Sequence, residues 1–150
     1  MKTLELLINE CGYEGTHLGG RRKPDGVIYT DNLSNNYGVI IDTKAYSSGY
    51  NLPINQADEM QRYIQENQRR DEKENPNKWW ENFNADIERF YFMFVSGNFR
   101  GRYQEQIDRI SQITKTNGAA VAIVDLLLTA DRIKNKNCSL SEVEKKTFLI

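Results

Sequence analysis

The stretch YGVIIDTKAY (residues 37–46) opens with Val39-Ile40-Ile41, three successive apolar residues with no polar alternation. Side chains alternate between the faces of a strand, so a strand apolar on both faces lies inside a sheet covered above and below. The pattern breaks at Asp42 and again at Lys44. Twelve residues before Asp42, RKPDGVIYT (22–30) ends in a second strand-like run, entered through Pro24-Asp25-Gly26. The intervening DNLSNN (31–36) is rich in turn formers, and the pair reads as a hairpin. Counting outward equally from a turn centred between Leu33 and Ser34 sets Asp25 opposite Asp42. Residues opposed in this way have Cβ atoms about 4.5–5.5 Å apart on one face. The same alternation puts Lys44 beside Asp42 and turns Thr43 away.

Further along, the pattern alternates helix with strand. KTLELLINEC (2–11) has helical apolar spacing through Leu4, Leu7, Ile8 and Cys11, with Gly12 as a stop. HLGGRRKPDG (17–26) reads as a loop. A helix is expected from Pro53, a favoured first position, to about residue 72, with Ile54, Ala57, Met60 or Gln61, and Ile64 on its buried stripe. NPNKWWENF (75–83) starts a short helix. FYFMFVSG (90–97) is a buried strand, RYQEQIDRISQIT (102–114) an amphipathic helix, AAVAIV (119–124) a strand and DLLLTADRIK (125–134) a helix. Ser139 with Glu142 forms a capping box for the last one. The order α-β-β-α-β-α-β-α-α specifies an α/β domain, one mixed sheet flanked by helices on both faces.

Composition sets limits. The 150 residues make one domain, 39% apolar and 27% charged, as expected of an ordinary soluble domain. There is no run of eighteen apolar residues and no signal-peptide core, so a cytoplasmic location is expected and no membrane partner. Cys11 and Cys138 have neither metal-ligand nor disulfide-framework spacing. One histidine, His17, excludes a Ser-His-Asp triad and histidine metal sites. A net charge of −1 is not that of a chain that grips nucleic acid over its whole surface, so polyanion contacts must be local.

Two opposed carboxylates repel, and a hard divalent cation resolves the conflict. Mg²⁺ accepts one or two carboxylates and completes its shell with water and substrate phosphate. A lysine one pleat along suits phosphodiester hydrolysis, where it can orient the attacking water and offset charge at phosphorus. From spacing alone, charges at two strand ends serve equally well as surface residues. Gly19-Gly20 followed by Arg21, Arg22 and Lys23 could hold backbone phosphate beside the acids, although the P-loop spacing is absent. Ser47 could line the same path, with Tyr46 and Ser48. Glu5 reads as a solvated helical position, and Trp79-Trp80 as core. Asp58 and Arg62, at i and i+4 with the acid first, could form an intrahelical pair worth about 0.2–0.5 kcal/mol.

Pro24-Asp25 followed by Asp42-Thr43-Lys44 resembles the PD-(D/E)xK motif. Together with HLGGRRKPDG, VIIDTKAYSSGYNLPINQADEMQRY, NPNKWW and FVSG with its following FRGRY, it is similar to the FokI-like cleavage domain of type IIS restriction endonucleases, along essentially the whole chain. The resemblance implies a restriction-endonuclease-like core. It implies a site-specific type II deoxyribonuclease's cleavage domain, cutting without sequence preference of its own. Asp25 and Asp42 would bind Mg²⁺, for which Mn²⁺ can substitute, and Lys44 would be the catalytic lysine. Partners would be double-stranded DNA, a separate recognition domain or subunit, and a second copy in a transient homodimer. Asp58 and Arg62 would pair reciprocally across its two-fold axis, sharing that surface with Glu59, Gln61, Gln65 and Ile113. The family has helical structure before the position of Met1, so residues 1–150 read as an N-terminally truncated nuclease domain without its recognition domain. The alternative is a non-catalytic nuclease fold kept for dimerisation or as a scaffold.

Overall fold

The computed structural model describes residues 2–44 and 49–149. Five strands form one sheet in the order β1-β2-β3-β4-β5. They are β1 (Glu14–His17), β2 (Gly26–Tyr29), β3 (Tyr37–Lys44), β4 (Arg89–Ser96) and β5 (Gly118–Ala122). β1, β2 and β3 pair antiparallel, whereas β3, β4 and β5 pair parallel, so the sheet is mixed and β3 is central. Val39, Ile40 and Ile41 are almost completely buried, as their two-faced apolar pattern requires.

Period-two alternation divides the core. Val27, Ile40, Phe92 and Phe94 face a layer formed by α2 (Ile54–Arg69), the 3₁₀ turn Trp79–Asn82 and α3 (Tyr103–Thr114). Ile28, Val39, Ile41, Tyr91, Met93 and Val95 face α1 (Lys2–Glu5), α4 (Ile123–Lys134) and α5 (Leu140–Phe148). Helices thus cover both faces. Trp79 and Trp80 anchor the first layer, and Trp79 Nε1 donates to Glu66 Oε1 at 3.1 Å, which satisfies the one polar atom of that ring. Ser139 caps α5 as its sequence promised, accepting from the Glu142 amide at 3.2 Å.

Five expectations need correction, the first being Ile54, which is expected on the buried stripe of its helix and is 62% exposed. His17, read as the start of a loop, ends a strand over Glu14–His17 to which the sequence pattern assigns no element; as a short edge strand of Glu, Gly, Thr and His, β1 carries no apolar alternation to announce it. The first helix is not uniformly α: after Glu5 it widens to a π turn over Leu6–Glu10, with the Cys11 amide reaching back to Leu6 O at 3.2 Å. α2 ends at Arg69, because Arg70 turns left-handed at φ 51°, and Pro53 is its cap rather than its first residue. The apolar run 119–124 is split: Ala122 ends β5 and caps α4, which starts at Ile123.

Candidate active site

The hairpin register is the one that the turn predicts. Gly26 pairs with Ile41 and Val27 with Ile40, so Asp25, one residue before β2, faces Asp42. β2 begins and β3 and β4 end along the same margin of the sheet, because β2 runs against β3 while β4 runs with it. Asp25, Asp42 and Lys44 therefore collect at one end of the sheet, on the face covered by α2 and α3.

Asp42 is 9% exposed. Its carboxyl is pushed up to about 7, first by burial, then by the hydrogen bond and the negative charge of Asp25; Lys44 acts in the opposite direction. Lys44 Nζ lies 3.2 Å from Asp42 Oδ2, which confirms that the two share a face. Thr43 does not simply turn away. Its amide donates to Asp25 Oδ2 at 2.8 Å and its hydroxyl to the same oxygen at 3.2 Å. β2 has not yet begun at that level, so the Asp25 carboxylate replaces the missing strand partner of the Thr43 N–H. This clamp was not anticipated, although Thr43 sits inside the DTK motif.

The two acids fit a hard cation. Proximity and burial have already made one carboxylate reluctant to ionise, and a divalent ion would remove that penalty. Among the described residues no group of three or more His, Cys, Asp or Glu side chains could hold a metal. Two carboxylates suffice for Mg²⁺, which keeps water and phosphate oxygens in its remaining positions.

The basic loop sits beside this pair. Leu18 N donates to Asp25 O at 2.9 Å and closes the loop that carries Arg21, Arg22 and Lys23. Arg21 and Arg22 are exposed and Lys23 half-buried. Arg22 holds a left-handed φ of 62°, with its carbonyl accepting from Asn77 Nδ2 at 3.3 Å. Ser47, with Tyr46 and Ser48, lies outside the described residues. Glu5 is exposed on α1, and His17 is exposed at the end of β1.

Asp58 and Arg62 do not pair within α2. Asp58 Oδ1 accepts from Arg109 of α3 at 3.0 Å. Arg62 lies over the Tyr63 ring at 5.3 Å and approaches Glu66 at 4.0 Å. Arg109 is held in turn by Gln106 Oε1 at 3.0 Å, and this α3 clamp draws Asp58 sideways. Arg22 and Arg62 line one cleft of about 350 Å³ with Glu66, Arg69, Glu74 and Asn75, so the basic loop and α2 meet there.

Comparison with known proteins identifies relatives of the chain and of its fold. The model of the family "FokI, cleavage domain" matches residues 1–149. The chain is 51% identical over 146 residues to the type II restriction enzyme FokI of Planomicrobium okeanokoites, covering 97% of this chain and 25% of that protein. It is 38% identical over 141 residues to the type II restriction enzyme StsI of Streptococcus sanguinis, covering 94% and 23%. Solved structures of restriction endonuclease FokI, by itself and bound to DNA, superpose with a TM-score of 0.95 over 97% of this chain and 26% of theirs. The chain thus spans about a quarter of the length of these relatives. Family model, sequence identity and overall fold agree, and the chain belongs to the family of FokI cleavage domains of type II restriction endonucleases.

Proposed function

We propose that this domain hydrolyses DNA phosphodiester bonds with Mg²⁺, has no sequence preference of its own, and is brought to its targets by a separate recognition module. The observation that carries this reading is the meeting of Asp25, Asp42 and Lys44 at one sheet end, with Lys44 Nζ 3.2 Å from Asp42. Asp25 and Asp42 would hold the ion, and Thr43 fixes the orientation of Asp25. When bound, the ion lowers the pKa of its water and neutralises charge on the phosphate. Lys44 donates hydrogen bonds to the attacking water and to a non-bridging phosphate oxygen. Water adds at phosphorus, the bond to the leaving sugar oxygen breaks, and the proton released from water ends on the leaving oxygen or in solvent. Arg21, Arg22 and Lys23 hold the adjoining backbone phosphates, and Ser47 would add a phosphate contact.

One such site cuts one strand. A two-fold homodimer supplies a second site with the polarity of the opposite strand, and an isologous contact through α2 places Asp58 of each protomer against Arg62 of the other. Each pair is exposed and worth about 1 kcal/mol or less, consistent with a transient dimer. The direct test is nicking of supercoiled plasmid with Mg²⁺, with Ca²⁺ and with EDTA. Nicking is expected with Mg²⁺, and with Mn²⁺ in its place. Equal activity in EDTA would overturn the reading.

A further inference from the structure

We infer that Arg100 and Arg102 form a second phosphate-binding arm on the opposite flank of the active site from the 21–23 loop. This rests on the reading of the substrate as DNA. The basic loop precedes β2, on one side of β3. The segment after β4 lies on its other side. Lys44 pairs in register with Ser96, the last residue of β4, so the chain leaves β4 level with the catalytic lysine.

That chain is then tied back to the site. The Tyr50 amide donates to Asn98 O at 2.9 Å, the Arg100 amide donates to Tyr50 O at 3.1 Å, and Tyr50 bridges to Phe99. The stem of Arg100 crosses directly over Gly49. A Cβ at position 49 would meet Cδ, Cγ and Cβ of Arg100 at 3.0, 3.1 and 3.3 Å, and Gly49 itself holds a φ of 110°. Glycine here leaves room for the arginine stem in a backbone conformation that other residues rarely adopt. Arg102 follows at the start of α3, beyond Gly101. Both arginines are exposed, and neither guanidinium has a hydrogen-bond or ion-pair partner among the described residues.

Three cationic groups on one side of a carboxylate pair and two on the other suit a ligand with charges repeated along a line. A single small anion would need them to converge. A nucleic acid backbone crossing the sheet end can touch both flanks while one phosphate rests between them. The chain's net charge of −1 means that this positive band is local.

The test is the salt dependence of binding to a short labelled duplex, measured by anisotropy in the Asp42→Ala background with EDTA, so that no cutting intervenes. Each lost phosphate contact should lower the slope of log K against log salt by about 0.9. Arg100→Gln and Arg102→Gln should each do so, their combination by about 1.8, and Arg100→Lys should retain the slope. Lys136→Gln, beyond α4 at the far end of the sheet, removes the same charge and should leave it unchanged. An unchanged slope in the double variant overturns the inference, as does an equal fall in Lys136→Gln. Plasmid nicking by the parent chain tests the nuclease reading separately, so the two can fail independently.

Discussion

Replacing Asp42 by asparagine should make the metal-free protein more stable. In the folded chain this carboxyl titrates near 7, against an ordinary 3.8. A carboxyl whose folded pKa is raised holds its proton more tightly in the native state than in the unfolded one. Stability is therefore greatest below about pH 4, declines as pH climbs to about 7, and is level beyond. At about 1.4 kcal/mol for each tenfold change, the ionised Asp42 costs on the order of 4 kcal/mol at pH 8. Asparagine keeps the shape and removes that cost. It also deprives Lys44 of its ionic partner, a partly exposed pair worth about 1 kcal/mol or less. The net gain is about 3 kcal/mol, and in a domain of this size each kcal/mol raises Tm by about 2–4 °C. Thermal unfolding in EDTA at pH 8 should place Asp42→Asn about 6–12 °C above the parent. At pH 4.5, where the native carboxyl is protonated, the difference should shrink to about 1 kcal/mol or less. Adding Mg²⁺ at pH 8 should raise the parent's Tm and leave that of the variant nearly unmoved. A variant that melts at or below the parent at pH 8 would refute the argument that Asp25 and burial together strain this carboxylate.

Other consequences can be checked directly. Lys44→Ala should lose plasmid nicking by at least about a hundredfold, the scale of a positioned proton-transfer group, while titration calorimetry finds metal affinity retained. Asp58→Arg and Arg62→Asp should each suppress linear plasmid product, and an equimolar mixture should restore it, because unlike charges again oppose each other across the two-fold axis; full activity in each single variant would place the dimer surface elsewhere. Ser139→Ala removes the side-chain acceptor of the Glu142 amide and should cost about 1 kcal/mol in denaturant unfolding, without altering nicking.

The site was legible because it lies on a hairpin. A tight turn and a two-residue period convert sequence distance into register, and Asp25 falls opposite Asp42 with no need of tertiary information. The core strands were legible for a related reason, since only burial on both faces sustains runs such as Val39–Ile41 or the FYFMFV segment. β1 was hidden because its identity comes from its neighbour: Glu14–His17 is a strand only by pairing along β2. The Thr43 clamp depends on where β2 starts, and strand ends are weakly encoded. The Asp58–Arg109 bridge joins two helices 51 residues apart in the chain, beyond the reach of helical periodicity.

The mixed character of the sheet bears on the order in which the domain assembles. The antiparallel half closes over residues 30–36, whereas the parallel pairing of β3 with β4 must wait for residues 45–88 to be folded back. The difference in loop length alone adds about 1.6 kcal/mol of closure entropy to the second event, and hairpins form within about 1–10 μs. The two mutually repelling acids are thus expected to meet early, on a hairpin not yet covered by α2, where water still screens them. Burial comes later, when β4 docks and the helices close. In kinetic terms the charge conflict belongs to the last steps of folding, so relieving it should slow unfolding far more than it speeds folding. Stopped-flow rates for Asp42→Asn without metal would show this as a change confined to the unfolding limb; a faster folding limb instead would place the conflict in the nucleus.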